Sequence, residues 1–203
     1  MIERRAFPVE FRVKRDDDNA KIVGHAAVFN SLSVELFGFR EEVSPGAFTQ
    51  TIQQDDVRAL FNHDPNFVLG RNVAKTLRLS EDEKGLMYEI DPPDTQFARD
   101  LMVSIERGDI TQNSFSFSVL PDGQEWREDS AGTLIRTLTH VKLYDISPVT
   151  FPAYPSTDVS LRSAEAEALA AEGRRILEAH RPGFTWQVEN DLRRRKVDLI
   201  EKY

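Results

Sequence analysis

Polar and apolar residues alternate along much of this chain, and this alternation constrains the fold more than any other feature of the sequence. The clearest case is the segment from residue 113 to residue 119. In an extended backbone, Ser114, Ser116 and Ser118 lie on one face of that segment and the intervening phenylalanines lie on the other. Similar strand signals recur from residue 7 to about residue 159. The sequence therefore predicts a body made mainly of β-strands.

Turn signals and two helical stretches separate the predicted strands. Residues 95–107 carry apolar side chains at helical spacing and precede Gly108, a typical helix stop. A shorter helix is expected at residues 46–53. The fold class is therefore α+β, with strands in the majority. The expected strands are residues 7–13, 22–29, 57–62, 76–79, 86–90 and 113–119, and a last pair between residues 125 and 146.

The character of the sequence changes beyond Ser160. Ser163 is placed to cap a helix whose apolar residues fall on one side. A Pro-Gly pair at residues 182–183 breaks this pattern, and a second, strongly charged helix is expected at residues 187–202. We therefore expect a body domain over residues 1–160 and a helical C-terminal tail over residues 161–203.

Composition narrows the classes of function. The 203 residues include no cysteine and four scattered histidines, so neither a disulfide nor a zinc site is expected. A net charge of −8 disfavours direct binding to nucleic acid. The sequence has no apolar run of about 20 residues that could span a membrane, and residues 1–5 do not resemble a signal peptide. We expect an intracellular, soluble protein without cofactor or metal.

His63 and Ser114 are candidates for a base and nucleophile pair. Ser114 lies in a segment whose phenylalanines would hold it rigidly, as a nucleophile requires. His63 follows the apolar end of a predicted strand, before an expected turn at residues 64–65, and histidine can act as a general base near neutral pH. The simpler alternatives are a sheet with one solvated face and a loop histidine in contact with solvent. The alternation alone favours the simpler alternatives.

A third group would have to orient the histidine, and two residues could do so. His140 and Asp145 both lie in the last predicted strand pair. In a regular strand they face opposite sides, so only one of them could contact His63. The sequence has no Gly-x-Ser-x-Gly motif, which argues against an α/β-hydrolase. A serine hydrolase of another fold is the leading hypothesis.

Several short segments, taken in order, resemble the tailed-phage prohead maturation proteases of the HK97 type. Each is weak alone, but together they cover the chain from about residue 5 to residue 160. They are residues 24–29 (GHAAVF), 39–48 (FREEVSPGAF), 60–64 (LFNHD), 69–71 (LGR), 108–110 (GDI), 113–117 (NSFSF) and 147–155 (SPVTFPAYP).

The resemblance implies roles for the candidate residues, with Ser114 as the nucleophile and His63 as the general base. That family is similar in fold and active-site order to the herpesvirus assembly proteases, which use a serine and two histidines. The similarity implies a β-rich, barrel-like domain with flanking helices, and His140 as the third member. Asp145 stands where relatives often have glutamate and is the alternative third member. Ser116 occupies the family's usual glycine position and competes with Ser114.

The function implied by the resemblance is that of a serine endopeptidase that processes the phage prohead. Such enzymes act inside the assembling shell in the host cytoplasm, remove the scaffolding segment of the major capsid protein, and cleave themselves. The tail would then be a targeting or self-cleaved segment. Herpesvirus relatives become active on dimerising, so a homodimer is a candidate state. Backbone amides, Arg71 or Arg136 would stabilise the oxyanion. The main alternative is a non-enzymatic scaffold or capsid-assembly protein.

Overall fold

The computed structural model describes residues 2–7, 9–16, 19–36, 38–151 and 159–180. Within these ranges the chain forms twelve strands and three helices. The helices are α1 (Thr49–Gln54), α2 (Gln96–Glu106) and α3 (Val159–Ala179). The strands are β1 (Glu3–Phe7), β2 (Phe11–Asp16), β3 (Asn19–Val28), β4 (Phe39–Val43), β5 (Arg58–Phe61), β6 (Asp64–Arg71), β7 (Leu77–Glu81), β8 (Gly85–Ile90), β9 (Gln112–Val119), β10 (Gln124–Glu128), β11 (Leu134–Leu138) and β12 (Val141–Val149).

The described strands form three sheets. The largest has the order β1-β9-β12-β5-β6, so the serine-bearing strand β9 lies between the N-terminal strand and β12. The second sheet has the order β2-β3-β8-β7, and the third has the order β10-β11-β4. The prediction of an α+β fold dominated by strands is confirmed.

The expected barrel is not formed by the described strands. The strand order of the largest sheet ends at β1 on one side and β6 on the other, and these two strands do not pair with each other. Instead of closing, this sheet shares one apolar core with the β2-β3-β8-β7 sheet. Phe115 and Phe117 of β9 pack there with Ile22 of β3 and Tyr88 of β8, and all four side chains are fully buried. The two sheets are thus held together by the apolar side chains buried between them, and not by a ring of hydrogen-bonded strands.

Helix α2 confirms the sequence prediction to within one residue at each end. It begins after Thr95, whose hydroxyl oxygen accepts a hydrogen bond from the Ala98 N–H at 3.3 Å. Such an N-cap satisfies one of the donors that a helix leaves unpaired at its start. No described helix is both long and apolar enough to cross a membrane.

Helix α3 packs against the body through the β10-β11-β4 sheet. It begins at Val159, ahead of the predicted cap at Ser163. Ala170 is buried in a small cluster with Phe39, Trp126 and Leu134. The second predicted helix, at residues 187–202, and the break at residues 182–183 lie outside the described residues. The domain boundary near residue 160 stays a prediction.

A buried network of charges connects the largest sheet to the β10-β11-β4 sheet. Arg136 of β11 donates to both carboxylate oxygens of Glu3 in β1, at 2.7 and 2.9 Å, and to Glu41 of β4 at 2.9 Å. Arg5 of β1 donates to the other oxygen of Glu41 at 2.7 Å. Burial raises the pKa of Glu3, but the hydrogen bond from Arg136 and the charges of Arg5 and Arg136 outweigh burial, so the pKa is lowered. The network holds β1 beside β9.

The contact between α3 and the sheet can be tested at Gly173. A Cβ added there would lie 2.6 Å from Cδ2 of the Trp126 ring, which is too close. In an undocked helix, Gly173→Ala would stabilise by up to about 1 kcal/mol. In the docked helix we expect it to lower the free energy of unfolding, measured by chemical denaturation. Stabilisation would contradict the packing of α3 on Trp126.

The network can be tested with a matched pair of arginines. Arg136→Met should lower the free energy of unfolding by about 3–5 kcal/mol, because it removes the main partner of the buried Glu3 carboxylate and one of the two arginine partners of the buried Glu41 carboxylate. Arg127→Met, which breaks a 3.2 Å pair with Glu42 at the surface, should cost less than about 1 kcal/mol. Because the pKa of Glu3 is lowered by folding, the Arg136 effect should be full at neutral pH and shrink as the pH falls through that lowered pKa. Equal losses in the two variants would contradict a stabilising network.

Candidate active site

His63 lies in a two-residue turn that joins β5 to β6. Phe61 and Asp64 pair across the hairpin, and Asn62 and His63 between them have φ values of 54° and 57°. Positive φ at both central residues is what a type I′ hairpin turn requires, and asparagine is one of the residues that accept it readily. The turn therefore precedes the position predicted from the sequence, and residues 64–65 already belong to β6.

Several hydrogen bonds fasten this turn to the end of β12. The Asn62 N–H donates to the Pro148 carbonyl at 3.0 Å. The Asn62 side chain accepts from the Thr150 N–H at 2.9 Å and donates to the Thr150 hydroxyl at 3.3 Å. Positive φ is unfavourable for histidine, so these contacts help to hold His63 in a conformation it would not adopt alone.

The serine strand is held between two neighbours. Ser114 pairs with Ala6 of β1 on one side and with Ser147 of β12 on the other, and it is fully buried. The core-facing phenylalanines on either side of Ser116 are in contact, with their ring centroids 5.0 Å apart and their planes tilted by 31°. The side chain of Ser114 is thus mounted on a strand that has little room to move.

A β-bulge in β12 brings Asp145 to the same face as Ser114. Leu143 pairs with Phe117, and regular pairing would then place Asp145 opposite Phe115, on the core side. The register instead shifts between Leu143 and Asp145, so that Asp145 pairs with Ser116. Residues directly opposite each other share a face, so the bulge moves the carboxylate from the core side to the serine side.

The turn, the serine strand and the bulge converge on one hydrogen-bonded chain. His63 Nε2 lies 2.7 Å from Ser114 Oγ, and His63 Nδ1 lies 2.6 Å from Asp145 Oδ1. When the carboxylate is ionised and the imidazole is neutral, Nδ1 donates to Asp145 and Nε2 accepts from the serine hydroxyl. The three side chains are almost completely buried. This geometry permits a serine to lose its proton to a histidine that a carboxylate orients.

Comparison with protein-family models agrees with this chemistry. The family model of the caudovirus prohead serine proteases matches residues 9–172, which is most of the chain. The chain belongs to this family. No curated protein matches it. Among solved structures, the capsid assembly protease of bacteriophage T4, gp21, aligns with a TM-score of 0.44 and 10% identity, over 73% of this chain and 95% of the other.

As a member of the prohead serine proteases, the chain is a serine protease, as the sequence predicted. The family match spans all three residues of the hydrogen-bonded chain. It also extends into α3, beyond the boundary expected near residue 160. The similarity to herpesvirus assembly proteases stays a prediction.

In this prohead protease His140 does not occupy the position that the sequence favoured for it. It lies between β11 and β12 rather than within a strand, and its side chain is exposed. Its backbone bonds to Gly123 and Leu120 in the neighbouring turn. Both ring nitrogens of His63 are already engaged, by Ser114 and Asp145. Asp145, and not His140, therefore contacts His63, because the bulge, which local sequence did not reveal, brings Asp145 to that face. Which of the two acts as the third catalytic member stays a prediction.

The two arginines considered for the oxyanion are engaged elsewhere. Arg71 donates to Asp56 at 2.7 Å, and this hydrogen bond is the main reason that the pKa of Asp56 is lowered to about 2. Arg136 belongs to the buried network with Glu3 and Glu41. Backbone amides are then the remaining candidates for the oxyanion donors.

Ser116 does not belong to the hydrogen-bonded chain, and no metal-binding cluster is found among the described residues. Ser116 is buried beside Asp145, but the His63 ring reaches Ser114 rather than Ser116. In the described ranges no cluster of three or more histidine, aspartate or glutamate side chains is arranged to hold a metal ion.

Proposed function

We propose that this chain is the serine endopeptidase that matures a phage prohead, with Ser114 as nucleophile, His63 as general base and Asp145 as the orienting carboxylate. The observation that carries the proposal is the pair of short contacts, 2.7 and 2.6 Å, that link these three side chains in the order serine, histidine, carboxylate. The family match supports the reaction class.

In the proposed reaction, Ser114 Oγ attacks the scissile carbonyl carbon while its proton passes to His63 Nε2. Asp145 accepts a hydrogen bond from Nδ1 and stabilises the imidazolium that forms. His63 then gives the proton to the leaving amine, and the C–N bond breaks to leave an acyl group on Ser114. A water molecule, activated by His63 in the same way, hydrolyses the ester and restores the serine.

The substrate is proposed to be the scaffolding segment of the major capsid protein, together with the chain itself. Cleavage would take place inside the assembling prohead, in the host cytoplasm, with the residues beyond 160 as a targeting or self-cleaved segment. Homodimerisation is part of the proposal only as a route to activation. These statements rest on the resemblance to prohead proteases and on the family match.

The identity of the nucleophile is tested by two serine variants. Ser114→Ala should abolish cleavage of co-expressed capsid precursor and of the chain itself, because no proton-activated oxygen remains beside His63. Ser116→Ala, a matched change two residues away on the same face, should retain cleavage. Gel analysis of the precursor and mass spectrometry of the chain over time measure both products. Normal processing by Ser114→Ala with loss of cleavage in Ser116→Ala would make Ser116 the nucleophile, and normal processing by both variants would support the non-enzymatic scaffold instead.

The third member is tested by comparing Asp145 with His140. Asp145→Ala should lower kcat by up to about 10⁴-fold, because the histidine loses the group that sets its tautomer. His140→Ala should leave kcat within about twofold of the parent, since its exposed side chain lies away from His63. Initial rates on a peptide that spans a cleavage site give both values. A larger loss for His140→Ala would overturn the assignment of Asp145.

A further inference from the structure

Ser147 lies at the centre of the contacts that surround the proposed triad, although it is not one of the three residues. It is fully buried and stands directly opposite Ser114 on β12. It is also two residues beyond Asp145, so the two side chains share a face of the strand. A buried hydroxyl at such a position needs hydrogen-bond partners.

The Ser147 hydroxyl forms two hydrogen bonds with residues of the proposed triad, one as a donor and one as an acceptor. Its O–H donates to Asp145 Oδ1 at 2.7 Å. Its oxygen accepts from the backbone N–H of His63 at 3.3 Å. Asp145 Oδ1 is the same oxygen that accepts from His63 Nδ1. One hydroxyl therefore touches the carboxylate and the backbone of the residue that the carboxylate orients.

We infer that Ser147 is a positioning residue for the proposed triad: it fixes the rotamer of Asp145 so that Oδ1 faces His63 Nδ1. This inference rests on the proposed function of Ser114, His63 and Asp145. An aspartate in a strand can turn about two side-chain bonds, and the second donor removes that freedom. The bulge brings Asp145 to the face of the strand that carries Ser114, and Ser147 orients the Oδ1 atom of Asp145 toward His63 Nδ1.

The two contacts of Ser147 differ in strength, and the difference determines what its loss should do. A 2.7 Å hydrogen bond to a carboxylate is short and charge-assisted, whereas a 3.3 Å bond from a backbone N–H is long and weak. The His63 turn also keeps its bonds to Pro148 and Thr150 when the hydroxyl is removed. The effect should therefore pass through Asp145 and leave the turn in place.

The inference is tested with Ser147→Ala, Ser147→Thr and, as a matched control, Ser116→Ala. Ser147→Ala should lower kcat by about 10- to 100-fold while KM stays within about twofold, because the hydroxyl orients a catalytic group rather than binding substrate. Ser147→Thr keeps the hydroxyl and should restore most of kcat. Ser116→Ala removes a buried hydroxyl from the neighbouring strand and should leave kcat close to that of the parent.

A spectroscopic measurement separates this inference from the proposed function. The His63 Nδ1–H proton, short-bonded to Asp145, should give a far-downfield ¹H NMR resonance that is absent from His63→Gln. In Ser147→Ala this resonance should move upfield or disappear, whether or not the preparation cleaves peptides. If the parent protein cleaves no substrate but its resonance still changes in Ser147→Ala, the proposed function is refuted and the positioning role of Ser147 is preserved. An unchanged resonance and an unchanged kcat in a Ser147→Ala variant that melts like the parent would overturn the inference.

Discussion

The site depends on the extra residue that β12 inserts between Leu143 and Asp145. Side chains alternate along a strand, so a single inserted residue reverses the face of everything that follows. Without the shift, Asp145 would lie opposite Phe115 in the apolar core, where an unpaired carboxylate would cost several kcal/mol. With it, Asp145 and Ser147 both lie on the side of Ser114. The bulge thus places two polar side chains of β12, Asp145 and Ser147, in the proposed catalytic site.

Contacts elsewhere in the fold fix the positions of the strands that carry Ser114, Asp145 and Ser147. The buried phenylalanines of β9 anchor this strand in the core. The network of Arg136, Glu3 and Glu41 holds β1, which pairs with β9 on the side away from β12. The strained turn at His63 is fastened to the end of β12, the strand that also carries Asp145 and Ser147. The proposed base and the proposed orienting carboxylate are therefore both held by β12, and the proposed nucleophile lies on the neighbouring strand β9. Such mutual support is what short, well-directed hydrogen bonds require.

Local pattern was sufficient to predict β9, the β7–β8 hairpin and helix α2, because each is encoded by the spacing of its own apolar residues. Local pattern located Ser114 on a predicted strand and His63 at the end of another, but their roles were implied only by the resemblance to the prohead proteases. What local pattern could not supply was register between strands far apart in sequence. The bulge beside Tyr144, the pairing of β1 with β9 and the turn at Asn62 are decided by tertiary contacts. His140 was preferred because its segment resembles the one that carries the third member in the herpesvirus assembly proteases, whereas in the structure the contact with His63 Nδ1 is made by Asp145.

The distance along the chain between the three residues has a consequence for when the chain can become a catalyst. His63 lies 51 positions from Ser114 and 82 from Asp145. The loops between them must close before the three side chains meet, and contacts of such long range form late in folding. A nascent chain still attached to the ribosome, lacking β12, has neither the orienting carboxylate nor the strand that fastens the histidine turn. The order of synthesis would therefore keep the proposed triad unassembled until almost all of the body has been made.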